Sequence, residues 1–167
     1  MDADFTERVT RLARALTGRG ETLATAESCT GGWVAKVCTD LAGSSAWFER
    51  GFVTYSNASK QDLLGVAPTT LEDHGAVSEQ TVLEMVAGVL RTTPSHWAVA
   101  ISGVAGPGGG SPDKPVGTVW IAGAGPTGWR TARCLHLDGD REAVRRQAVR
   151  AVLDMLLEEL GDAGDGD

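Results

Sequence analysis

Short apolar runs of strand length alternate along this chain with stripes of helical spacing, and that alternation restricts the fold more than any other feature. Phe5, Val9, Leu12, Ala13 and Leu16 recur at helical intervals, closed by Gly18 and Gly20. "TLATA" (22–26) then reads as a short strand. Trp33, Val34, Val37, Cys38 and Leu41 give a second helical stripe, stopped by Gly43. "GFVTYS" (51–56) alternates like a strand and feeds "NASKQDLLG" (57–65), a short helix with Ser56 as N-cap and Gly65 as stop. After a loop, Ser78 caps a helix carrying Val82, Met85, Val86, Val89 and Leu90. "WAVAIS" (97–102) has the composition of a buried strand. "VGTVWIAG" and "WRTARCLHL" form two more, joined by the hairpin signal "AGPTG". A last helix runs from about Arg141 to Leu160 on Val144, Ala148, Val152, Met155, Leu156 and Leu160. The expected fold is therefore α/β: a single three-layer α/β/α domain over 1–167 with a mixed parallel/antiparallel sheet. The acidic "GDAGDGD" (161–167) is expected to be a disordered tail.

The net charge of −7 argues against a protein that coats nucleic acid or an anionic membrane. No apolar run reaches the roughly 18 residues of a membrane span. The acidic start, Met1-Asp2-Ala3-Asp4, is unlike a secretory signal. Cys29, Cys38 and Cys134 are too few and scattered for a disulfide framework, so a reducing cytoplasm is the expected setting. His74, His96 and His136 share no ligand spacing with each other or with the cysteines, so no metal site is expected. "GAGPTG" (123–128) matches a dinucleotide fingerprint by letters, but a strand pattern follows where that motif needs a helix. "NAS" (57–59) is a glycosylation sequon by letters only.

The chemistry concentrates in "TAESCTGG" (25–32). A strand ends near Ala26 and a helix begins near Gly31, so Ser28 stands where unpaired N–H groups and the helix dipole converge. Such a place favours developing negative charge. Ser28 reads as a nucleophile or, with Thr30, as a simple helix cap. A nucleophilic serine needs a base. No His-Asp pair offers itself, but Lys60 lies on one helical face with Leu63 and Leu64, either snorkelling or desolvated. Only three of the fifteen basic residues are lysines: Lys36, Lys60 and Lys114. Tyr55, the single tyrosine, ends the strand before Lys60 and is either a packed aromatic or a hydroxyl beside the amine. Cys29 is a rival nucleophile if the helix N-terminus makes it a thiolate, and a small buried residue otherwise. Ser102, at a strand end, is a third candidate. The loop "GVAGPGGGSPDKP" (103–115) reads as a phosphate cradle or a mobile connector. As a cradle it would use backbone N–H groups around Gly103, Gly106, Gly108 and Gly109, with Lys114 just beyond.

"AESCTGG", "GFVTYSNASKQDLLGV", "HGAVSEQT", "SGVAGPGGGSPDKPVGTVWIA" and "GDREAVRRQAVRAVLDMLLEEL" occur in that order. Together they resemble the CinA C-terminal domain family, the nicotinamide mononucleotide deamidases, in its stand-alone form. The resemblance runs from about Phe5 to Leu160. It implies hydrolysis of the carboxamide of nicotinamide mononucleotide to nicotinate mononucleotide and ammonia, in pyridine nucleotide salvage. It also implies a serine–lysine amidohydrolase needing neither metal nor other cofactor. Ser28 would be the nucleophile, Lys60 the general base and Tyr55 an assistant, with the N–H groups of Cys29, Thr30 and Gly31 holding the oxyanion. Glu27 belongs to the motif without an evident role. The expected partner is a small nucleotide substrate, neither nucleic acid nor membrane, with a homodimer the expected form of any self-association. The alternatives are a non-catalytic nucleotide-binding or regulatory module, and a serine–lysine hydrolase of another amide.

Overall fold

The computed structural model describes residues 2–161, so all but the first residue of the expected acidic tail lies outside the described residues. Five strands form one sheet: β1 (Leu23–Glu27), β2 (Phe48–Val53), β3 (Trp97–Gly103), β4 (Thr118–Ala124) and β5 (Arg130–His136). Their spatial order is β2-β1-β3-β4-β5. β1 is parallel to both its neighbours, while β4 runs antiparallel to β3 and to β5. The mixed sheet expected from the hairpin signal is thus present.

Helices cover both faces. On one side α1 (Ala3–Arg19), α2 (Trp33–Thr39) and α6 (Arg141–Leu160) enclose a core of Phe5, Leu12, Val34, Val37, Ile101, Val152 and Leu156. On the other, α3 (Asn57–Leu64), α4 (Pro68–His74) and α5 (Glu79–Thr92) enclose a core of Ala24, Ala26, Leu64, Val82, Met85, Val86, Ala98 and Ala100. β1 is buried at all five positions, as a strand covered on both faces must be. Small residues on the α5 face, Ala24, Ala26, Ala98 and Ala100, let that helix come close to the sheet.

The caps expected at Ser56 and Ser78 are formed. Ser56 and Ser59 make a reciprocal capping box at the start of α3, and the Ser78 hydroxyl accepts from the Thr81 N–H. Three readings need correction. The segment before Ser78 contains α4, started by Pro68 at its first turn, where a missing N–H costs nothing. β2 begins at Phe48 and ends at Val53, so Tyr55 lies in the connector to α3, not in a strand. α2 stops at Thr39, leaving Leu41 in the following turn, still packed against the core.

One close approach positions the site. A Cβ on Gly88 would stand 2.0 Å from the Leu64 carbonyl oxygen, so only glycine lets α5 press against the end of α3. That contact holds α3, and with it Lys60, down against the sheet. Among the described residues no helix is long and apolar enough to cross a membrane, and no cluster of three or more potential metal ligands occurs.

Candidate active site

The turn between β1 and α2 is Ser28–Gly32. The Ser28 N–H donates to the Ile101 carbonyl at 3.0 Å, which extends the β1–β3 ladder by one residue and fixes Ser28 just past the carboxyl end of β1, inside the sheet. Neither Ser28 nor Thr30 caps α2. Glu27 does: its carboxylate accepts from the N–H groups of Val34 (2.9 Å) and Ala35 (3.1 Å) and from the Thr30 hydroxyl (2.7 Å). Burial pushes the Glu27 carboxyl upward, and these donors oppose that shift. Gly32, the last residue before α2, sits at φ +99, a left-handed conformation that favours glycine. From α6, Arg145 donates to the carbonyls of Cys29 (3.0 Å) and Thr30 (3.2 Å) while its guanidinium lies 5.4 Å from the Trp33 ring. The turn is therefore held from both ends, by an acid below and an arginine behind.

Lys60 projects from α3 toward this turn and is 1% exposed. Its ammonium nitrogen donates to Ser28 Oγ at 3.0 Å and to the Thr54 carbonyl at 2.6 Å. Leu64 lies on the same buried face, whereas Leu63 turns to solvent. Lys60 is desolvated, not snorkelling. With two neutral oxygens and no carboxylate as partners, burial lowers its pKa from 10.5 to about 8. The Ser28 hydroxyl thus meets an amine that can be neutral near physiological pH.

Burial raises the Cys29 thiol to about 11, which disfavours the thiolate that a nucleophile at this position needs. Ser28, Lys60, Tyr55, Asn57, Ser102 and Arg141 border a cavity of ≈ 240 Å³, to which Cys29, Gly103 and Ala105 also contribute. A larger hollow of ≈ 460 Å³ lies behind the turn, beside Trp33 and Arg145, and contains neither Ser28 nor Lys60.

Tyr55 is not placed as a proton relay. It is 60% exposed, and its hydroxyl accepts from Arg141 Nη2 at 3.0 Å, with no bond to Lys60. Lys60 reaches Ser28 directly. The glycine loop also departs from expectation. Gly103 borders the cavity, and the Gly106 carbonyl accepts from Arg141 Nη1 at 2.8 Å. Gly108 and Gly109 do not border it, and the Lys114 amine is turned away to the His74 carbonyl. The Gly31 N–H is already occupied by the Ser28 carbonyl at 3.0 Å.

Arg141 is the site residue that sequence reasoning missed. It opens α6 directly after the capping Asp140, at the helix end where the dipole disfavours a cation. That local misfit was the available signal. Arg141 makes no ion pair among the described residues, so its charge is available at the cavity rim.

Comparison with known proteins agrees with this architecture. Residues 6–160 match the family model of the CinA C-terminal domain. A nicotinamide-nucleotide amidohydrolase PncC of Escherichia coli K12 is 54% identical over 158 residues, covering 95% of this chain and 96% of that protein. The protein of the same name from Pseudomonas putida is 53% identical over 155 residues, covering 92% and 96%. The crystal structure of the competence/damage inducible protein CihA from Agrobacterium tumefaciens superposes with a TM-score of 0.92 at 44% identity, covering 95% of this chain and 96% of that one. With a match of that extent, and the same fold in a solved relative, this chain belongs to the CinA C-terminal domain family.

Proposed function

We propose that this protein is an amidohydrolase that converts nicotinamide mononucleotide and water to nicotinate mononucleotide and ammonia, serving pyridine nucleotide salvage, by a serine–lysine mechanism. The observation that carries the reading is the buried 3.0 Å contact between Lys60 Nζ and Ser28 Oγ, with the amine depressed to about 8. The names of the relatives supply the substrate.

Neutral Lys60 takes the Ser28 proton as Oγ attacks the amide carbon. The developing oxyanion is held by the N–H groups of Cys29 and Thr30, which donate to no oxygen among the described residues, the Cys29 N–H contacting only its own thiol. Arg145 supports this assignment. It draws the Cys29 carbonyl to itself, and in a trans peptide that turns the Thr30 N–H the opposite way. Protonated Lys60 then delivers its proton to the departing ammonia. Water, deprotonated by Lys60, attacks the acyl-serine and releases the acid.

The pH profile follows from the direction of the lysine shift. Burial lowers the Lys60 pKa, and the neutral amine is the active form, so kcat/KM should climb with pH and level off above about 8. A steady-state profile on nicotinamide mononucleotide checks this, and a rate that falls between pH 7 and 9 would remove Lys60 as the base.

Arg141 takes the place that the glycine loop and Lys114 were expected to fill. A guanidinium with only neutral partners at the cavity rim attracts a phosphate even in a chain of net charge −7. Arg141→Met should lower kcat/KM for the mononucleotide by roughly ten- to a hundredfold. The slower cleavage of nicotinamide riboside, which lacks the phosphate, should change little. Equal losses on the two substrates would mean that Arg141 serves only to hold Tyr55 and Gly106.

A further inference from the structure

We infer that the hydroxyl of Ser102 accepts a hydrogen bond from the substrate's carboxamide N–H and so selects amides over esters at this site, an inference that rests on the amidohydrolase reading above. Strand register places the residue. Glu27 pairs with Ile101 across β1 and β3, and the Ser28 N–H donates to Ile101, so the next rung sets Ser28 beside Ser102. Neighbouring strands lie about 5 Å apart, and side chains on one rung of a parallel pair point to the same face. For β3 that face is the one carrying Ala98 and Ala100, under α5. For β1 it is the one carrying Ala24 and Ala26. Lys60 approaches from this same side, on α3, which packs against α5.

Ser102 is 1% exposed and borders the cavity that contains Ser28 and Lys60. Among the described residues its hydroxyl has no hydrogen-bond partner. The hydroxyls of Thr25, Thr54, Ser95 and Thr118 are also buried without a partner, but none of those residues borders this cavity, so only at Ser102 can a molecule bound beside Ser28 supply the missing bond. Strand pairing does not explain the residue either, since its backbone partner across the ladder is Trp120 and the side chain adds nothing to that rung.

The chemistry of the substrate identifies what would pair with it. A primary carboxamide brings one acceptor oxygen and two N–H donors. The oxygen is served by donors in the turn. The N–H groups need acceptors, and most polar groups around the cavity cannot supply one. Neutral Lys60 has a single lone pair, which the Ser28 proton takes, Arg141 only donates, and the Tyr55 hydroxyl lies on an exposed side chain with Arg141 as its donor. Asn57 lies at the exposed start of α3. Ser102 is the buried acceptor next to the nucleophile. An ester of the same acid carries no N–H and gains nothing from it. A site built to pair an N–H discriminates against a substrate that lacks one.

The test compares wild type and Ser102→Ala on nicotinamide mononucleotide and on the methyl ester of nicotinate mononucleotide, with melting temperature measured alongside. Removing one oxygen at a strand end should leave the melting temperature near wild type. The amide kcat/KM should fall roughly ten- to a hundredfold, with a much smaller fall for the ester, so that the amide-to-ester ratio collapses. Parallel losses on amide and ester would make Ser102 a structural residue and overturn the inference. An unchanged amide rate would overturn it as well. Wild-type protein inactive on both compounds would instead sink the amidohydrolase reading itself, and this inference with it.

Discussion

Ser28→Ala should lower turnover of nicotinamide mononucleotide by on the order of ten-thousandfold or more while the protein stays folded. The hydroxyl is the one atom that both contacts Lys60 and stands at the turn's free N–H groups. In the proposed mechanism its loss would remove the covalent route and leave only binding and the oxyanion donors. Stability should barely move, because Ser28 accepts from Lys60 and caps nothing, the cap of α2 being Glu27. Cys29→Ala should keep much of the activity, since its thiol is protonated far above neutral pH and its backbone N–H survives the change. Ammonia release and thermal unfolding of the two variants, run side by side, check the pair. An active Ser28→Ala with an inactive Cys29→Ala would reverse the assignment.

Lys60→Arg should be inactive by about a thousandfold or more despite keeping its charge, because a guanidinium does not shed its proton near neutral pH. Lys60→Met should be equally inactive and should also change how stability responds to pH. The sign follows from proton counting. Lys60 loses its proton near 8 in the folded chain and near 10.5 when unfolded, so between those values the unfolded state binds the extra proton. Wild-type stability should therefore gain, relative to Lys60→Met, as pH rises through that window. The gain would reach roughly 3 kcal/mol by the shift alone. Denaturant melts of both proteins at pH 7, 8.5 and 10 measure it. A difference that stays flat across the window would mean that the amine is not desolvated, and near-normal turnover in Lys60→Arg would end its role as base.

Much of this site is written in local patterns. Lys60 is legible as a candidate because a lysine on the same helical face as Leu64 must be either stretched to water or buried, and its burial, at 1% exposed, is seen only once the chain is folded. Ser28 is legible from the strand-to-helix change around it. The caps at Ser56 and Ser78 act within three residues of themselves, so the chain announces them.

What escaped reading depends on contacts between distant segments. Arg141 joins Tyr55 and Gly106, which lie 86 and 35 positions away, and no periodicity links them. The sequence assigns Glu27 no role. Its partners Val34 and Ala35 make it the cap of a helix whose own preceding residue, Gly32, has no side chain to do so. Glycine content in 103–115 leaves a phosphate cradle and a connector equally open. A loop rich in glycine is free to approach a phosphate, but here Gly108 and Gly109 stay clear of the cavity and Lys114 ties the loop to the end of α4. The alternation in 51–56 predicts a strand up to Tyr55, but it runs past the last ladder position at Val53.

The most direct measurement follows nicotinamide mononucleotide with the purified protein by chromatography while ammonia is assayed in the same samples. Equal amounts of nicotinate mononucleotide and ammonia, formed at a rate that rises with pH to a plateau above about 8, are the expected result. Free nicotinamide in place of ammonia would mean cleavage at the ribose instead of the amide, and an unchanged mononucleotide would mean that the Ser28–Lys60 pair serves some other substrate. Either outcome would contradict the proposed reaction.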